Sequence, residues 1–63
     1  MTLKELRIQS GKTQREMADL LGVSRSTYAR FERDPGSMSI PQAKAVCRLL
    51  GYGIDILFPV IVS

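Results

Sequence analysis

The sequence predicts a compact all-α domain of four to five short helices, and three observations indicate this. Apolar residues recur at i, i+3 and i+4, as in Ala43, Val46 and Cys47, which is the spacing of one helix face. Glycines and prolines divide the chain into short segments. Three segments begin with Thr or Ser followed by Glu or Gln three residues later, the pattern of an N-terminal capping box.

The first two helices are predicted to begin at Thr2 and Thr13. Glu5 completes the capping box of the first helix, and Glu16 completes that of the second. Each helix is expected to end at the next glycine in the chain. The predicted apolar stripe of the second helix is Met17, Leu20 and Leu21.

The third and fourth helices are predicted to begin after Ser24 and at Ser39. Pro35-Gly36 stops the third helix, and Gly51 ends the fourth. The third helix carries Tyr28 and Phe31 on one face. The apolar face of the fourth helix is predicted to be Ile40, Ala43, Val46, Cys47 and Leu50.

The segment that follows Gly51 allows two interpretations. Ile54, Leu57 and Phe58 have the spacing of a short fifth helix, whereas the β-branched residues of the same segment are equally typical of a strand. We expect a short helix followed by an extended tail.

A chain of 63 residues has room for one domain. We expect residues 1–63 to form it, with 2–58 as its core and 59–63 as an apolar tail. Cys47 is the only cysteine and there is no histidine, so a disulfide within the chain is excluded and a zinc site would lack its usual nitrogen ligands. We therefore expect no metal and no cofactor. The sequence has no phosphate-cradling glycine loop and no carboxylate cluster, so we expect no enzyme activity.

The chain shows no sign of a membrane or secretory segment. Its first residues are polar and charged, and its most apolar run, from Ile54 to Val62, is interrupted by Asp55 and Pro59. That run is far shorter than the roughly 20 residues of a spanning helix. We expect a cytoplasmic protein.

The positive charge is concentrated in the first half of the chain. Residues 1–33 hold seven basic and four acidic residues, whereas residues 34–63 hold two of each. Charge of this size is compatible with a polyanion partner and equally with an ordinary solvated surface.

The most informative stretch runs from Thr13 to Glu32, where two short helices are separated by little more than Gly22 and Val23. Gly22 can take the left-handed conformation that a sharp angle between the helices needs. The small side chain of Ala18 would let the second helix cross the first closely. This arrangement turns Arg25, Ser26 and Arg30 outward, and a helix so exposed fits the major groove of double-stranded DNA.

Residues 3–58 resemble the Cro and repressor class of helix-turn-helix domains, the XRE family. The resemblance is carried by LKELRIQSGKTQREMADLLGVSRSTYARFER and by SIPQAKAVCRLLGYGIDILF. Its most specific positions are Gln14, Ala18, Gly22, Val23, Ser24 and Glu32. The resemblance implies a lambda-repressor-like domain that binds DNA and regulates transcription.

The resemblance also implies roles for individual residues. Those implied to read bases are Arg25, Ser26 and Arg30, and those implied to contact or support the DNA backbone are Gln14, Ser24, Thr27 and Arg33. Arg7 and Glu32 match a structural pair that ties the first helix to the third. From their charge alone, Lys12 and Arg15 are candidates for phosphate contacts or for a plain surface role.

The sequence departs from the family pattern at three places, one of which is Ile56, where relatives often have an exposed acidic residue. The loop of residues 34–38 lacks basic residues and carries Asp34, so we expect fewer phosphate contacts and a weaker salt dependence than in more basic relatives. Tyr28 is larger than the usual branched aliphatic residue, and its hydroxyl needs water or another partner.

We expect a homodimer, with an apolar dimer patch formed by Ile54, Ile56, Leu57, Phe58 and Val60. The other interpretation is that this segment folds back on its own core. The favoured function is a Cro-like or stand-alone repressor at an inverted-repeat operator. The alternatives are an antitoxin that regulates its own synthesis and binds a toxin, or an antirepressor that uses the fold to bind another protein.

Overall fold

The computed structural model describes residues 2–53 and residue 56, and its described part is entirely helical, without a strand. Four α-helices and one 3-10 turn follow in chain order: α1 (Leu3–Gln9), α2 (Gln14–Leu21), α3 (Arg25–Arg33), the 3-10 turn (Pro35–Ser37) and α4 (Ile40–Leu50). This confirms the predicted all-α class. None of these helices has the length and hydropathy to span a membrane.

Side-chain caps fix where the helices begin. Thr2, Thr13 and Ser39 each accept a hydrogen bond from the backbone N–H three residues later, and each of those later side chains accepts one in return. The three predicted capping boxes are therefore confirmed. Ser24 caps α3 through a single bond of 3.1 Å from the Thr27 N–H.

The core lies where α2 and α3 cross and where α1 and α4 cover them. Its fully buried residues are Leu3, Leu6, Met17, Ala18, Tyr28, Phe31, Ala43, Val46 and Cys47, each at most 4% exposed. Leu21 and Val23 pack against this cluster at the angle between α2 and α3. A core of this kind stabilises the fold mainly by removing apolar surface from water.

Two apolar residues predicted to face the core are exposed, and a third residue, which was not predicted to belong to the core, is buried in it. Leu20 is 57% exposed and Ile40 is 58% exposed. Leu20 lies about a quarter turn outside the face set by Met17, Ala18 and Leu21. Ile40 is the first residue of α4, so it lies at the end of the apolar face of this helix. Met38, in contrast, is 9% exposed and belongs to the core.

Most of the segment after Gly53 lies outside the described residues. The predictions of a fifth helix, an extended tail and a dimer patch at Ile54, Leu57, Phe58 and Val60 fall there. Ile56 is described: its N–H donates to the carbonyl of Gly53 at 3.1 Å, and its half-buried side chain packs against the core of its own chain.

Candidate nucleic-acid interface

A tight turn sets the angle between α2 and α3. Gly22 has φ +72°, the left-handed region that residues with a β-carbon avoid, and it ends α2 after Leu21. The Val23 N–H then donates to the Ala18 carbonyl at 3.0 Å, which closes a Schellman-type turn. Because Ala18 is only 1% exposed and small, α3 can lie close against α2. The turn thus leaves one long face of α3 in solvent.

The two faces of α3 differ sharply. Tyr28 and Phe31 point into the core, where their rings meet edge to face with centroids 6.3 Å apart. The exposed residues on the other side are Arg25, Ser26, Arg30 and Arg33. All three residues that the sequence analysis assigned to base reading therefore lie on one solvent-facing surface. We call this set of four exposed residues the α3 outer face.

The single carboxylate of α3, that of Glu32, is turned away from that face and forms an ion pair with Arg7. Glu32 Oε2 accepts a hydrogen bond from Arg7 Nε at 2.6 Å, and the two side chains are 5% and 11% exposed. Arg7 Nη1 also donates to the Lys12 carbonyl at 2.9 Å. The pair thus ties α3 to α1 and to the loop before α2. The carboxylate of Glu32 is thereby paired with Arg7 and not with an arginine of the outer face.

Gln14 is the third member of this cluster. Its Nε2 donates to Glu32 Oε1 at 3.0 Å, so both carboxylate oxygens of Glu32 are occupied by side chains from other helices. Burial raises the pKa of Glu32, but the hydrogen bonds from Arg7 and Gln14 outweigh it and leave this pKa below its ordinary value. The Gln14–Glu32 hydrogen bond could not be predicted from the sequence, because a spacing of 18 residues gives no indication of a contact.

Tyr28 lies against the same cluster. Its hydroxyl is buried, and among the described residues no well-aligned hydrogen-bond partner reaches it. Burial, together with an interaction with the Glu32 carboxylate, raises the pKa of Tyr28 well above its ordinary value. The hydroxyl is protonated at neutral pH.

A shallow concavity of about 480 Å³ lies where the start of α2 faces the start of α3. It is lined by Arg7, Thr13, Gln14, Arg15 and Arg25. The structure thus brings Gln14 and Arg15 next to Arg25, although they are far apart in the sequence. Because Arg7 is paired with Glu32, Arg15 and Arg25 are the lining arginines left to make this open recess a suitable environment for an oxyanion. Arg15 and Arg25 are exposed, and Gln14 is half-buried.

The remaining predicted contact residues lie around these elements. Ser24 is exposed, and its hydroxyl donates to Thr27 Oγ1 at 2.9 Å while it caps α3, so both hydroxyls are held at the helix start. Lys12 is half-buried at the end of the α1–α2 loop. Among the described residues, no group of acidic, cysteine or histidine side chains could hold a metal ion.

The sequence was compared with known proteins and families. No individual curated protein matches the sequence. Residues 3–57 match the helix-turn-helix family of the Cro and repressor type, and this range contains all four described helices and the turn at Gly22. The fold of this family is that of DNA-binding regulators. The chain therefore belongs to the helix-turn-helix family and is a DNA-binding protein.

Proposed function

We propose that this protein is a transcriptional repressor that binds a specific sequence of double-stranded DNA with α3 in the major groove. The observation that carries the proposal is the α3 outer face, where three arginines and a serine are exposed together on a helix held against α2 and α1. Repression needs no activity beyond occupancy, since a protein bound across a promoter is enough to block transcription.

Arg25, Ser26 and Arg30 are the residues we assign to base reading. The major groove of B-DNA admits an α-helix and displays a distinct pattern of donors and acceptors at each base pair. Arginine binds the O6 and N7 atoms of guanine with two hydrogen bonds, and serine can donate or accept. Arg25 and Arg30 are free to do so because Glu32 is already occupied by Arg7 and Gln14.

Residues at the start of α2 and at the end of the outer face are assigned to the phosphate backbone. Gln14, Arg15 and Arg25 share the concavity at the start of α2 and α3, where one phosphate group would lie within reach of Gln14 and Arg15 while Arg25 reaches past it to a base. Arg33 continues the outer face toward the end of α3. Supporting contacts are assigned to Lys12, Ser24 and Thr27.

The protein is proposed to bind as a homodimer at an inverted repeat. A two-fold dimer presents two recognition helices to successive major grooves about 34 Å apart, so the half-sites lie one helical turn from each other. Ile56 packs against the core of its own chain, and the apolar residues Ile54, Leu57, Phe58 and Val60 support a self-complementary contact between two copies.

The experiment is selection of binding sites from random duplex DNA, followed by titration of the selected site with Arg25→Ala and Arg30→Ala. We expect an inverted repeat to be enriched. Each variant should lose about 1–3 kcal/mol of binding free energy on the selected site and tolerate substitutions at one of its base pairs.

Arg48→Ala is the matched control, because Arg48 is an exposed arginine of α4, outside both the outer face and the concavity. It removes the same charge and should leave the sequence preference unchanged. Equal weakening on all sequences by Arg25→Ala and Arg30→Ala would reduce these residues to phosphate contacts. Failure to enrich any site would refute sequence-specific recognition.

A further inference from the structure

One residue near the middle of the outward side of α3 has no polar group. Within α3, all of whose residues the structure describes, the apolar residues Tyr28 and Phe31 are buried, and only Ala29 keeps an apolar side chain partly in solvent. Ala29 lies four residues after Arg25, three after Ser26 and four before Arg33. In a helix those spacings place side chains next to one another on the same surface.

The small size of Ala29 matters at this place. Its neighbours on the outward side include two arginines, whose side chains extend well beyond a β-carbon. A single methyl group between longer side chains leaves a shallow recess, so the helix backbone can come closest to a flat surface there. In a major groove, the floor at that point is the edge of a base pair.

The chemistry that suits such a recess is another methyl group. Thymine is the base that displays a methyl, at C5, in the major groove, and apolar contact with alanine is one of the ways in which it is recognised. The guanidinium and hydroxyl groups of α3 instead read the hydrogen-bonding edges of bases. We propose that Ala29 is a specificity-determining residue that contacts the 5-methyl group of one thymine in each half-site, an inference that depends on α3 being the recognition helix as proposed above.

Replacing thymine by uracil removes this methyl group and leaves every hydrogen bond of the base pair intact. Each thymine of the selected site is therefore replaced in turn by uracil in synthetic duplexes, and binding of the protein is titrated. We expect uracil to weaken binding about fourfold at one position of each half-site, which corresponds to the free energy of burying one methyl-sized group. The other thymines should be insensitive.

Ala29→Gly removes the protein's side of the contact. We expect this variant to bind the thymine and uracil duplexes equally at the sensitive position, while it still discriminates at the base pairs read by Arg25 and Arg30. The readout is the ratio of two affinities, so a uniform loss of binding caused by glycine in a helix does not affect it.

Ala45→Gly is the control for the helix itself. Ala45 is also half-buried and also lies inside a helix, α4, but outside the outer face. We expect this variant to lose thermal stability comparably and to keep the fourfold thymine preference of the unmodified protein.

The outcomes separate this inference from the function on which it rests. If a site is selected but uracil is tolerated at every position by the unmodified protein, the role of Ala29 is refuted and the proposed function stands. The same holds if Ala29→Gly folds and keeps the full preference for thymine. If no site is selected at all, sequence-specific recognition by α3 fails first.

Discussion

At the scale of single residues, Glu32 organises the site more than any residue that would touch DNA. Its two oxygens receive Arg7 from α1 and Gln14 from α2, and Arg7 in turn holds the Lys12 carbonyl. Three helices therefore meet at one carboxylate, and Arg7 links the loop before α2 to them. Because Glu32 belongs to α3, this contact fixes the recognition helix relative to the residues at the start of α2.

Glu32→Ala tests the strength of this contact. The pair with Arg7 is 5% and 11% exposed, so it resembles a buried ion pair more than a surface one. Removal of Glu32 leaves Arg7 without its partner, and we expect the free energy of unfolding to fall by about 3 kcal/mol in urea denaturation. Asp19→Ala, at an exposed carboxylate of α2, should change it by no more than about 0.5 kcal/mol. A loss below about 1 kcal/mol in Glu32→Ala would show that the pair behaves as a solvated one.

The same prediction has a pH signature. The pKa of Glu32 is lower in the folded protein than its ordinary value of 4.5, so its contribution is complete above that value and is lost as the pH falls through the lowered pKa. The hydrogen bonds of the capping boxes also lower the pKa of Glu5 and Glu16. These two residues are present in the unmodified protein and in Glu32→Ala, so their effect is common to both. The unmodified protein should therefore lose more stability than Glu32→Ala between about pH 5 and pH 3. Equal losses would contradict the assignment.

At the scale of elements, the turn at Gly22 is the feature that makes α2 and α3 a functional unit. A β-carbon at Gly22 would meet no atom within 4 Å, so a substitution there is opposed by the backbone conformation and not by a clash. This separates the conformational role of the glycine from any packing role.

Gly22→Ala should therefore lower the free energy of unfolding by about 1–2 kcal/mol, the cost of a left-handed residue with a β-carbon. Gly36→Ala is the matched control, because Gly36 lies outside the left-handed region and its added β-carbon would only touch Asp34 Oδ1 at 3.4 Å. That variant should be neutral or more stable by up to about 1 kcal/mol. Thermal melts of both variants decide the matter, and equal behaviour would contradict this account of the turn.

Much of the fold could be predicted from sequence because its determinants are local. The capping boxes at Thr2, Thr13 and Ser39 depend on residues three apart, and the turn depends on one glycine. Burial depends on distant neighbours and was predicted less well. Leu20 and Ile40 have helical spacing but lie beside the face that the other helices cover.

The candidate site shows the same division. The outward direction of Arg25, Ser26 and Arg30 follows from the helix period once Tyr28 and Phe31 are placed in the core. The bond from Gln14 to Glu32 joins two helices, and its partners are set by the angle at which these cross. Such contacts become visible only when the tertiary structure is known.

At the scale of the whole molecule, the charge distribution matches the proposed orientation on DNA. The chain has a net charge of +3, all of it contributed by the first 33 residues, and the exposed arginines of α3 and the concavity lie in that half. The turn after α3 begins with Asp34 and has no basic residue. We therefore expect each bound copy to make few backbone contacts, so the loss of one of them should be measurable.

The salt dependence of binding by Arg33→Ala can show how many copies of the protein bind the operator. Each phosphate contact contributes about −0.9 to the slope of log K against log salt concentration. If Arg33 contacts one phosphate per copy, the slope on the complete operator should become shallower by about 1.8 for two bound copies, but only by about 0.9 on an isolated half-site. The loss of affinity should be equal on selected and random DNA, unlike that of Arg30→Ala. The same change of slope on both duplexes would mean that a single copy is bound, and the homodimer would have to be abandoned while major-groove recognition by α3 could stand.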